Sequence, residues 1–261
     1  MNIAVCVKQV PDASEVKIDP QTNTMKREGV PAILNPFDTY AVEEAISIKE
    51  KVGGKVTAVT MGPPQAVEML KLCVSMGVDD ATLLSDRAFA GADTWATSYT
   101  LGLGIKKLDK VDLIICGKQA IDGDTAQVGP GIAENLGLPF VAYVRKVLDI
   151  TDTTLTVERL IEDGYEVVEV SLPAVITVVK EINTPRLPSL KGKMRAKSLE
   201  VKPLSAADLG AIPENIGLAG SPTKVFKVFS PPVKGQREFI EGEPAEQASK
   251  LVAKLHELRV L

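Results

Sequence analysis

The sequence is poor in histidine and cysteine, which removes several kinds of catalytic site. Its 261 residues include one histidine, His256, and three cysteines without a CxxC pair, Cys6, Cys73 and Cys116. Zinc sites are built from several Cys, His or carboxylate ligands, and a Ser-His-Asp triad needs a histidine beside its nucleophile. Metal-dependent and triad hydrolases are therefore disfavoured. The cysteines lie in or beside apolar runs, which is typical of buried thiols in a reducing compartment.

Basic charge, aromatic residues and long apolar runs are scarce as well. Lys and Arg number 30 against 34 Asp and Glu, a net charge of −4, and aromatic residues make up 4% of the chain. Nucleic-acid-binding proteins usually carry a basic surplus or stacking aromatics. No apolar run approaches the roughly 20 residues that a membrane-spanning helix needs, and the start of the chain reaches Lys8 too early for a signal peptide. We expect no nucleic acid, no membrane insertion and a cytoplasmic location.

Two glycine-rich nucleotide motifs are missing. The predicted first strand, residues 2–8, is followed by Gln9-Val10-Pro11-Asp12 and not by the GxGxxG turn of dinucleotide-binding domains. The P-loop signature GxxxxGK[ST] is also absent. These absences argue against an NAD(P) dehydrogenase domain at the N-terminus and against a Mg-dependent P-loop NTPase.

What the first half does contain is an alternation of apolar strands with capped helices. The strands are predicted at residues 2–8, 55–61, 81–84 and 111–116. The helices are predicted from a cap at Asp38 to about residue 52 and at residues 65–76, 93–107 and 125–136. Because these strands are continuous apolar runs, they indicate a parallel sheet covered by helices on both faces.

In the second half, strands follow strands and then regular periodicity ends. Four consecutive β-segments between residues 140 and 180 predict an antiparallel extension of the sheet. The fold class is therefore α/β, a doubly wound, mostly parallel, Rossmann-like sheet without GxGxxG, with an antiparallel extension and a long C-terminal arm. We divide the chain into an α/β nucleotide-binding domain, residues 1–182, and a partner-binding part, residues 183–261. An excursion hairpin is predicted at residues 16–25.

The C-terminal part begins with sequence rich in Pro, Gly and Lys. Residues 183–243 are too long for an ordinary connection inside a compact domain, so we predict an arm that packs on another protein. Residues 185–202 carry six basic residues against one acidic residue, a local charge of +5. Residues 244–258 are predicted to form a final amphipathic helix.

The loop after the fourth strand is the best candidate for a ligand site. Ligands of open parallel sheets bind at the carboxyl ends of the strands, where strand order reverses. Gly117 and Gly123 let the backbone approach a ligand, and the free N–H groups of residues 125–128, at a helix start, suit a phosphate. Backbone groups at residues 6–9 and a helix start at residues 35–38 converge on the same crevice, which favours an adenine nucleotide. The alternative is an ordinary βα loop with Asp124 as N-cap.

Several stretches of the chain resemble one family, the β subunits of electron transfer flavoproteins. They are Val5-Cys6-Val7-Lys8-Gln9-Val10-Pro11, Asn35-Pro36-Phe37-Asp38, Gly117-Lys118-Gln119-Ala120-Ile121-Asp122-Gly123-Asp124, Val157-Glu158-Arg159 and Asn183-Thr184-Pro185-Arg186. The resemblance implies a heterodimer with an α subunit that carries a redox FAD. It also implies a second nucleotide in the β subunit, either AMP or, in bifurcating forms from anaerobes, another FAD. The cofactor-binding positions that it carries over are Cys6, Asn35, Pro36, Phe37, Asp38, Met61, Gly117, Lys118, Gln119, Ala120, Ile121, Asp122, Gly123, Asp124, Thr125, Ala126, Gln127 and Val128.

The resemblance also bears on which nucleotide is bound. Residues 86–98 are similar to a segment of bifurcating β subunits, so FAD is the expected occupant and AMP the alternative. Bifurcation implies hydride uptake from NADH, with one electron passing to ferredoxin or flavodoxin and the other through the α-subunit flavin to an acyl-CoA dehydrogenase. The flavin then carries the chemistry, and no catalytic acid or base is expected. Ala126 stands where many relatives have glycine, a difference that a helix would tolerate.

The partner dehydrogenase is expected to contact the arm. Residues 187–192 resemble the family's recognition loop, whose leucine inserts into a pocket of the partner, and Leu190 matches that leucine. The positions predicted to contact the partner are Leu190, Lys191 and Arg195. A solvated basic loop is the alternative, although a leucine flanked by lysines suits an anchor with electrostatic steering.

Two other classes of protein are alternatives. A stress-type nucleotide sensor could use the same βα architecture, but it needs no long arm and uses a glycine spacing that is absent here. A nucleotide-activating ligase or sulfurtransferase would need an SGGxDS-type loop after the first strand, where this chain has Gln9-Val10-Pro11-Asp12.

Overall fold

A computed structural model describes residues 1–12, 17–18, 25–26, 31–227 and 238–261. The strands in these residues are β1 (Asn2–Cys6), β2 (Gln9–Pro11), β3 (Lys17–Ile18), β4 (Met25–Lys26), β5 (Ala32–Leu34), β6 (Lys55–Met61), β7 (Asp80–Leu84), β8 (Leu113–Gly117), β9 (Phe140–Ile150), β10 (Thr154–Ile161), β11 (Gly164–Ser171) and β12 (Ala174–Val178). The α-helices are α1 (Pro36–Val52), α2 (Val67–Met76), α3 (Thr94–Lys106), α4 (Val128–Leu136), α5 (Leu190–Lys197), α6 (Ala206–Leu209) and α7 (Pro244–Glu257).

Eight of the strands form one sheet, in the order β11-β10-β9-β12-β8-β1-β6-β7. All neighbours from β9 to β7 pair in parallel, whereas β10 pairs antiparallel with both β9 and β11. The predicted doubly wound, mostly parallel sheet with antiparallel strands is thus confirmed. The predicted location of the antiparallel part was wrong for β12, which lies in parallel between β8 and β9. All five residues of β12 are buried, which is the pattern of a central parallel strand.

Alternate side chains of each central strand are buried on opposite faces of the sheet. In β1, Ile3 and Val5 belong to the core that includes α1 and α2, and Ala4 and Cys6 belong to the core that includes α3 and α4. Because neighbouring side chains of a strand point to opposite faces, a strand buried on both sides must be apolar throughout. This accounts for the continuous apolar runs.

Two helix starts differ from the prediction. Helix α1 begins at Pro36 with Asn35 as N-cap, so Asp38 lies in the first turn and does not cap it. Helix α4 begins at Val128, not at residue 125, and its N-cap residue Gln127 makes no side-chain capping bond. The predicted cap of α3 is confirmed, because the Asp93 carboxylate accepts hydrogen bonds from the N–H groups of Trp95 and Ala96.

Residues 183–227 lie in the same compact unit as the sheet. This unit spans Met1–Lys227, whereas the sequence predicts a division after residue 182. The segment is held by backbone bonds, by side-chain bonds such as those of Arg186 to Glu43, and by scattered buried residues such as Leu209 and Ile216, but not by a periodic apolar face. The Ser189 N–H donates to the Ser75 carbonyl at 3.1 Å, and the Leu204 N–H donates to the Leu83 carbonyl at 2.8 Å. Sequence periodicity cannot reveal contacts of this kind.

The second compact unit spans Val228–Leu261, and its described part, residues 238–261, contains α7. No residue of α7 is buried, and Leu251 and Val252 are about half-exposed. The predicted final helix is confirmed. Strands β3 and β4 pair antiparallel, as the predicted excursion hairpin requires, but its turn at residues 19–24 lies outside the described residues. In the described parts of the chain, no helix is long and apolar enough to cross a membrane.

Candidate functional site

The carboxyl ends of β1 and β8 form one edge of a crevice at the point where strand order reverses. Cys6 and Cys116 are directly paired at these ends, and the chain runs from β1 to β6 on one side while β8 lies on the other. Two loops and the start of α1 meet here, at residues 7–12, 117–127 and 35–38. The structure therefore brings together the three segments that the sequence predicts to face a ligand.

Asn35 holds two of these segments together from a fully buried position. Its side-chain Nδ2 donates to the Gln119 carbonyl at 2.9 Å, and its Oδ1 accepts from the Ile121 N–H at 3.2 Å. The Asn35 backbone N–H donates to the Lys8 carbonyl at 2.9 Å. Asn35 thus fixes the loop after β8 against the loop after β1. Direct contact of its side chain with a ligand stays a prediction.

Asp38 performs the same task with a buried carboxylate. Its Oδ2 accepts from the Lys8 N–H at 2.7 Å, and the Gly117 N–H also donates to it. Burial raises the pKa of Asp38 to about 7, and the hydrogen bonds from Asn35, Lys8 and Gly117 lower that pKa only in part. Buried carboxylates favour the neutral form because a charge loses its hydration. Asp38 is therefore a connection between loops as well as a predicted cofactor-binding residue.

Gly117 is required by packing against α1. A Cβ atom at this position would lie 2.3 Å from Asp38 Oδ1 and 2.7 Å from the Phe37 carbonyl carbon. Gly123, in the same loop, would have nothing within 4 Å of an added Cβ. The prediction gave both glycines the same role, approach to a ligand, but only Gly117 is also needed to let α1 and β8 meet. Outside these contacts, Lys8 Nζ pairs with Asp122 Oδ1 at 2.7 Å across the mouth of the crevice.

The tip of the loop after β8 has the backbone geometry of an anion site. Asp124 and Ala126 have positive φ values of 52° and 55°, and Gln127 follows with φ −103° and ψ −11°. A left-handed residue followed by a right-handed one turns successive N–H groups towards one point, which forms an anion-binding nest. Among the described residues, the N–H groups of Thr125 and Ala126 have no hydrogen-bond acceptor. The loop can therefore receive a phosphate, although its N–H groups come from a turn and not from the helix start that the sequence predicts.

Ala126 lies in this turn and not in a helix, so the expectation that a helix would tolerate it was wrong. Residues with a Cβ atom disfavour positive φ, and glycine adopts it freely. The structure thereby gives a physical reason for glycine at this position. Asp124 is not an N-cap: its carboxylate accepts a hydrogen bond from the Gln119 side chain, and its own N–H donates to the Ala120 carbonyl at 2.8 Å.

The remaining predicted positions differ in how they can reach the crevice. The thiols of Cys6 and Cys116 are buried and hydrogen-bonded to each other, which raises the pKa of Cys116. Met61, at the end of β6, is partly exposed, as are Phe37 and Lys118, whereas Pro36 is exposed. Cys6 is therefore largely shielded from a ligand, whereas the other four side chains are at least partly accessible.

A second opening adjoins Lys118 and was not predicted. A cleft of about 430 Å³ is lined by Lys118, Tyr143, Arg159, Leu160, Ile161, Glu162 and Val179. The Lys118 ammonium lies 5.3 Å from the centre of the Tyr143 ring, and Arg159 Nε is buried without a hydrogen-bond partner among the described residues. The cleft depends on β12 returning beside β8, which no local pattern reveals. Arg159, which lines the cleft, lies in the stretch Val157-Glu158-Arg159 that resembles the family.

The predicted partner-binding residues lie on and around α5. Leu190 is 79% exposed and Lys191 is exposed. Arg195 is partly engaged within the chain, because its guanidinium donates to the Val74 carbonyl at 3.0 Å and to the Val78 carbonyl. Leu187 is 88% exposed and was not predicted to contact the partner, although it lies in the segment 187–192 that resembles the recognition loop.

Comparison with known proteins identifies the family of the chain. Residues 22–209 match the family described as Electron transfer flavoprotein domain. The chain is 56% identical over 263 positions to the Caffeyl-CoA reductase-Etf complex subunit CarD of Acetobacterium woodii, with full coverage of both chains. It is 53% identical, again with full coverage, to the Electron transfer flavoprotein subunit beta of Thermoanaerobacterium thermosaccharolyticum. It is 48% identical to Protein FixA of Azotobacter vinelandii, over 98% of this chain and 94% of that protein. The chain therefore belongs to the electron transfer flavoprotein family, and its similarity to the β subunits extends over its whole length.

Proposed function

We propose that this chain is the β subunit of a cytoplasmic, heterodimeric electron transfer flavoprotein that bifurcates electrons. In this proposal it binds FAD, takes electrons from NADH and passes them to ferredoxin or flavodoxin and, through the α subunit, to an acyl-CoA dehydrogenase. The observation that carries the proposal is the nest at residues 124–127, in a loop whose residue Lys118 also lines the cleft. The similarity to a subunit named for a caffeyl-CoA reductase complex supports a partner that acts on acyl-CoA substrates.

The nest is the part of the site that would hold the adenylate phosphates. Its free N–H groups donate to anions without any charged side chain, so affinity depends on backbone shape. In the same loop, Asp122 pairs with Lys8, and the Asp124 carboxylate accepts a hydrogen bond from the Gln119 side chain. Asn35 and Asp38 keep the nest in register with β1 through buried hydrogen bonds.

The cleft provides space for more than an adenylate. Small-molecule sites commonly have volumes of 300–1,000 Å³, and a cleft of about 430 Å³, lined by Lys118 of the same loop, suits the flavin half of FAD. The unpartnered Arg159 Nε and the Lys118 ammonium would face that half and donate hydrogen bonds to its ring oxygens or nitrogens. When bound, the flavin supplies the uptake of a hydride and the release of single electrons.

The second candidate is a non-bifurcating β subunit with AMP in place of FAD. The nest is as compatible with AMP as with FAD, since one phosphate is enough to occupy the N–H groups of residues 125–127. The two candidates differ in whether the cleft is filled.

Counting nucleotides decides between the candidates. The αβ complex is purified gently and denatured, and the released nucleotides are quantified by chromatography. Two FAD per heterodimer, with bleaching by NADH, are expected. One FAD and one AMP would establish the alternative, and one FAD without a second nucleotide would contradict the whole assignment of the site.

We further propose that residues 187–197, here the docking segment, contact the dehydrogenase. Leu187, Leu190 and Met194 are 88%, 79% and 67% exposed, and lysines surround them. Exposed apolar side chains within a basic surface are typical of anchors with electrostatic steering. Helix α7, whose residues are all unburied in its own unit, is proposed to pack on the α subunit.

Replacing Leu190 by alanine tests the docking role. The Leu190→Ala variant is expected to retain its nucleotide and to need about tenfold more dehydrogenase for half-maximal electron transfer, as for loss of a hot-spot anchor. Transfer rates equal to the wild type at limiting dehydrogenase would contradict the assignment.

A further inference from the structure

Arg186 is bound by two glutamates of α1 at the point where the docking segment begins. Its Nε and Nη2 atoms each donate to Glu43 at 2.9 Å, and its Nη1 and Nη2 atoms donate to Glu50 at 2.6 and 2.9 Å. Its backbone N–H also donates to Glu43, at 2.9 Å. Because a guanidinium is planar, two carboxylates bound along its edges fix its orientation as well as its position. The start of the docking segment therefore has one defined direction relative to α1.

Neighbouring contacts strengthen this attachment. The Asn183 side chain donates to the Tyr40 carbonyl at 3.1 Å and to Glu44 at 2.9 Å, so α1 holds a second residue of the same stretch. Glu43 is buried, with a side chain 9% exposed, whereas the side chain of Glu50 is 56% exposed. One half of the attachment is thus shielded from solvent and the other half is open.

The middle of the docking segment is attached to a different helix, α2. The Ser189 N–H donates to the Ser75 carbonyl at 3.1 Å, and a Cβ atom on Gly192 would lie 2.1 Å from that same oxygen. The Ser189 hydroxyl accepts from the Gly192 N–H at 2.9 Å and caps α5. Leu187 and Leu190 extend into solvent on either side of this anchor, and Arg186 holds the chain just before them. Since neither leucine is held by its own burial, their arrangement is set by these two attachments.

We propose that Arg186 is a positioning residue for docking: its paired contacts with Glu43 and Glu50 preorganise the leucines for the partner dehydrogenase. This inference rests on the docking role proposed above. A segment already fixed in its binding conformation loses less conformational entropy on association than a flexible one. Arg186 itself need not touch the partner, and its effect is on affinity for the partner and not on electron transfer within the complex.

The experiment compares two mild variants with a matched control. Arg186→Lys keeps the charge, but its ammonium group cannot bind both carboxylates in the bidentate geometry of a guanidinium. Glu50→Gln removes the charge of the exposed carboxylate without leaving an unpaired buried charge. The control is Lys55→Gln, which breaks an exposed ion pair with Asp80, 2.9 Å long, at the amino end of β6. Purified αβ complexes are titrated with the acyl-CoA dehydrogenase of the same organism, and the rate of electron transfer and the nucleotide content are measured.

The two variants are expected to raise the half-saturating dehydrogenase concentration about three- to tenfold, as for lost preorganisation. The saturated rate, the nucleotide content and the behaviour of Lys55→Gln should not change. Half-saturating concentrations within twofold of the wild type for both variants would overturn the proposal. So would loss of nucleotide from either variant, because the attachment would then act by supporting α1 and the nucleotide site.

The Leu190→Ala variant separates this proposal from the one on which it rests. If Leu190→Ala shifts the half-saturating concentration and the Arg186 and Glu50 variants do not, only the positioning role fails. If none of the three variants shifts it, docking lies elsewhere and both proposals fail together.

Discussion

The loops of the crevice and the docking segment are held in place by opposite arrangements. In the crevice, polar side chains are buried and the backbone faces outward: Asn35 and Asp38 are inside, and the nest at residues 124–127 is outside. In the docking segment, apolar side chains face outward, and polar contacts hold the chain at Arg186, just before the segment, and at Ser189 within it. A site that uses backbone N–H groups needs internal supports, whereas a site that uses side chains needs only a fixed attachment.

This difference predicts where substitutions act. In the crevice, changes at buried supports alter stability and ligand binding together, because the loops and the sheet share the same contacts. In the docking segment, changes at exposed residues alter recognition with little change in stability, since exposed side chains contribute little to folding. Substitutions at Gly117, Asp38 and Ala126 test whether stability and ligand binding change together in the crevice.

Gly117→Ala should have the largest effect. The new Cβ would lie 2.3 Å from Asp38 Oδ1 and 2.8 Å from the Asp38 nitrogen, so β8 and α1 would have to separate. We expect the free energy of unfolding to fall by about 3 kcal/mol, the upper range for overpacking, with loss of the bound nucleotide. Urea unfolding and nucleotide content would measure both effects.

Gly123→Ala is the matched control for that substitution. It lies in the same loop, has no atom within 4 Å of an added Cβ, and has no positive φ. Its free energy of unfolding should stay within about 0.5 kcal/mol of the wild type. If both variants lost the same free energy of unfolding, any substitution in the loop would be destabilising, and the contact of Gly117 with α1 would not explain the effect.

Asp38→Asn should change how stability depends on pH. The pKa of about 7 in the folded state lies above the usual 3.8, so between these values the folded protein holds more protons than the unfolded chain. The free energy of unfolding of the wild type therefore falls as pH rises, by up to about 1.4 kcal/mol per pH unit from this group. The variant lacks the titrating group, so the free energy of unfolding of the wild type should fall relative to that of the variant as pH rises from 5 through the folded pKa of about 7, and this relative change should level off only above about pH 8.

Urea unfolding of both proteins at pH 5, 6, 7 and 8 provides the measurement. A difference that is constant from pH 5 to 8 would mean that Asp38 is ionised throughout and that its hydrogen bonds outweigh its burial.

Part of this fold could be predicted from the sequence. The order of strands and helices was predictable, because buried parallel strands and the Asp93 cap leave local patterns. The place of β12 between β8 and β9 was not, since it depends on the pairing of Ala174 with Leu113, residues far apart in the chain. The cleft that β12 helps to form was missed for the same reason.

Within the site, the sequence located the segments but not the task of each residue. Asn35 and Asp38 were predicted from a motif, and only their burial and partners show that they connect loops. Arg195 was predicted to contact a partner, and the structure shows it donating to carbonyl groups of Val74 and Val78. Residue type indicates what a side chain can bond to, but the fold decides which group is within reach.

Ala126→Gly should have the smallest effect and the opposite sign. Glycine adopts the φ of 55° without the steric cost that alanine has there, so the free energy of unfolding should rise by about 0.5 to 1 kcal/mol. Ala120→Gly, in the same loop but without a positive φ, should lower it by about 0.5 kcal/mol, because glycine is more flexible when unfolded. If both variants were destabilised equally in urea unfolding, the left-handed turn would be absent from the protein in solution. The nest would then lose its geometric basis, since residues 125–127 present their N–H groups to one point only when Ala126 is left-handed.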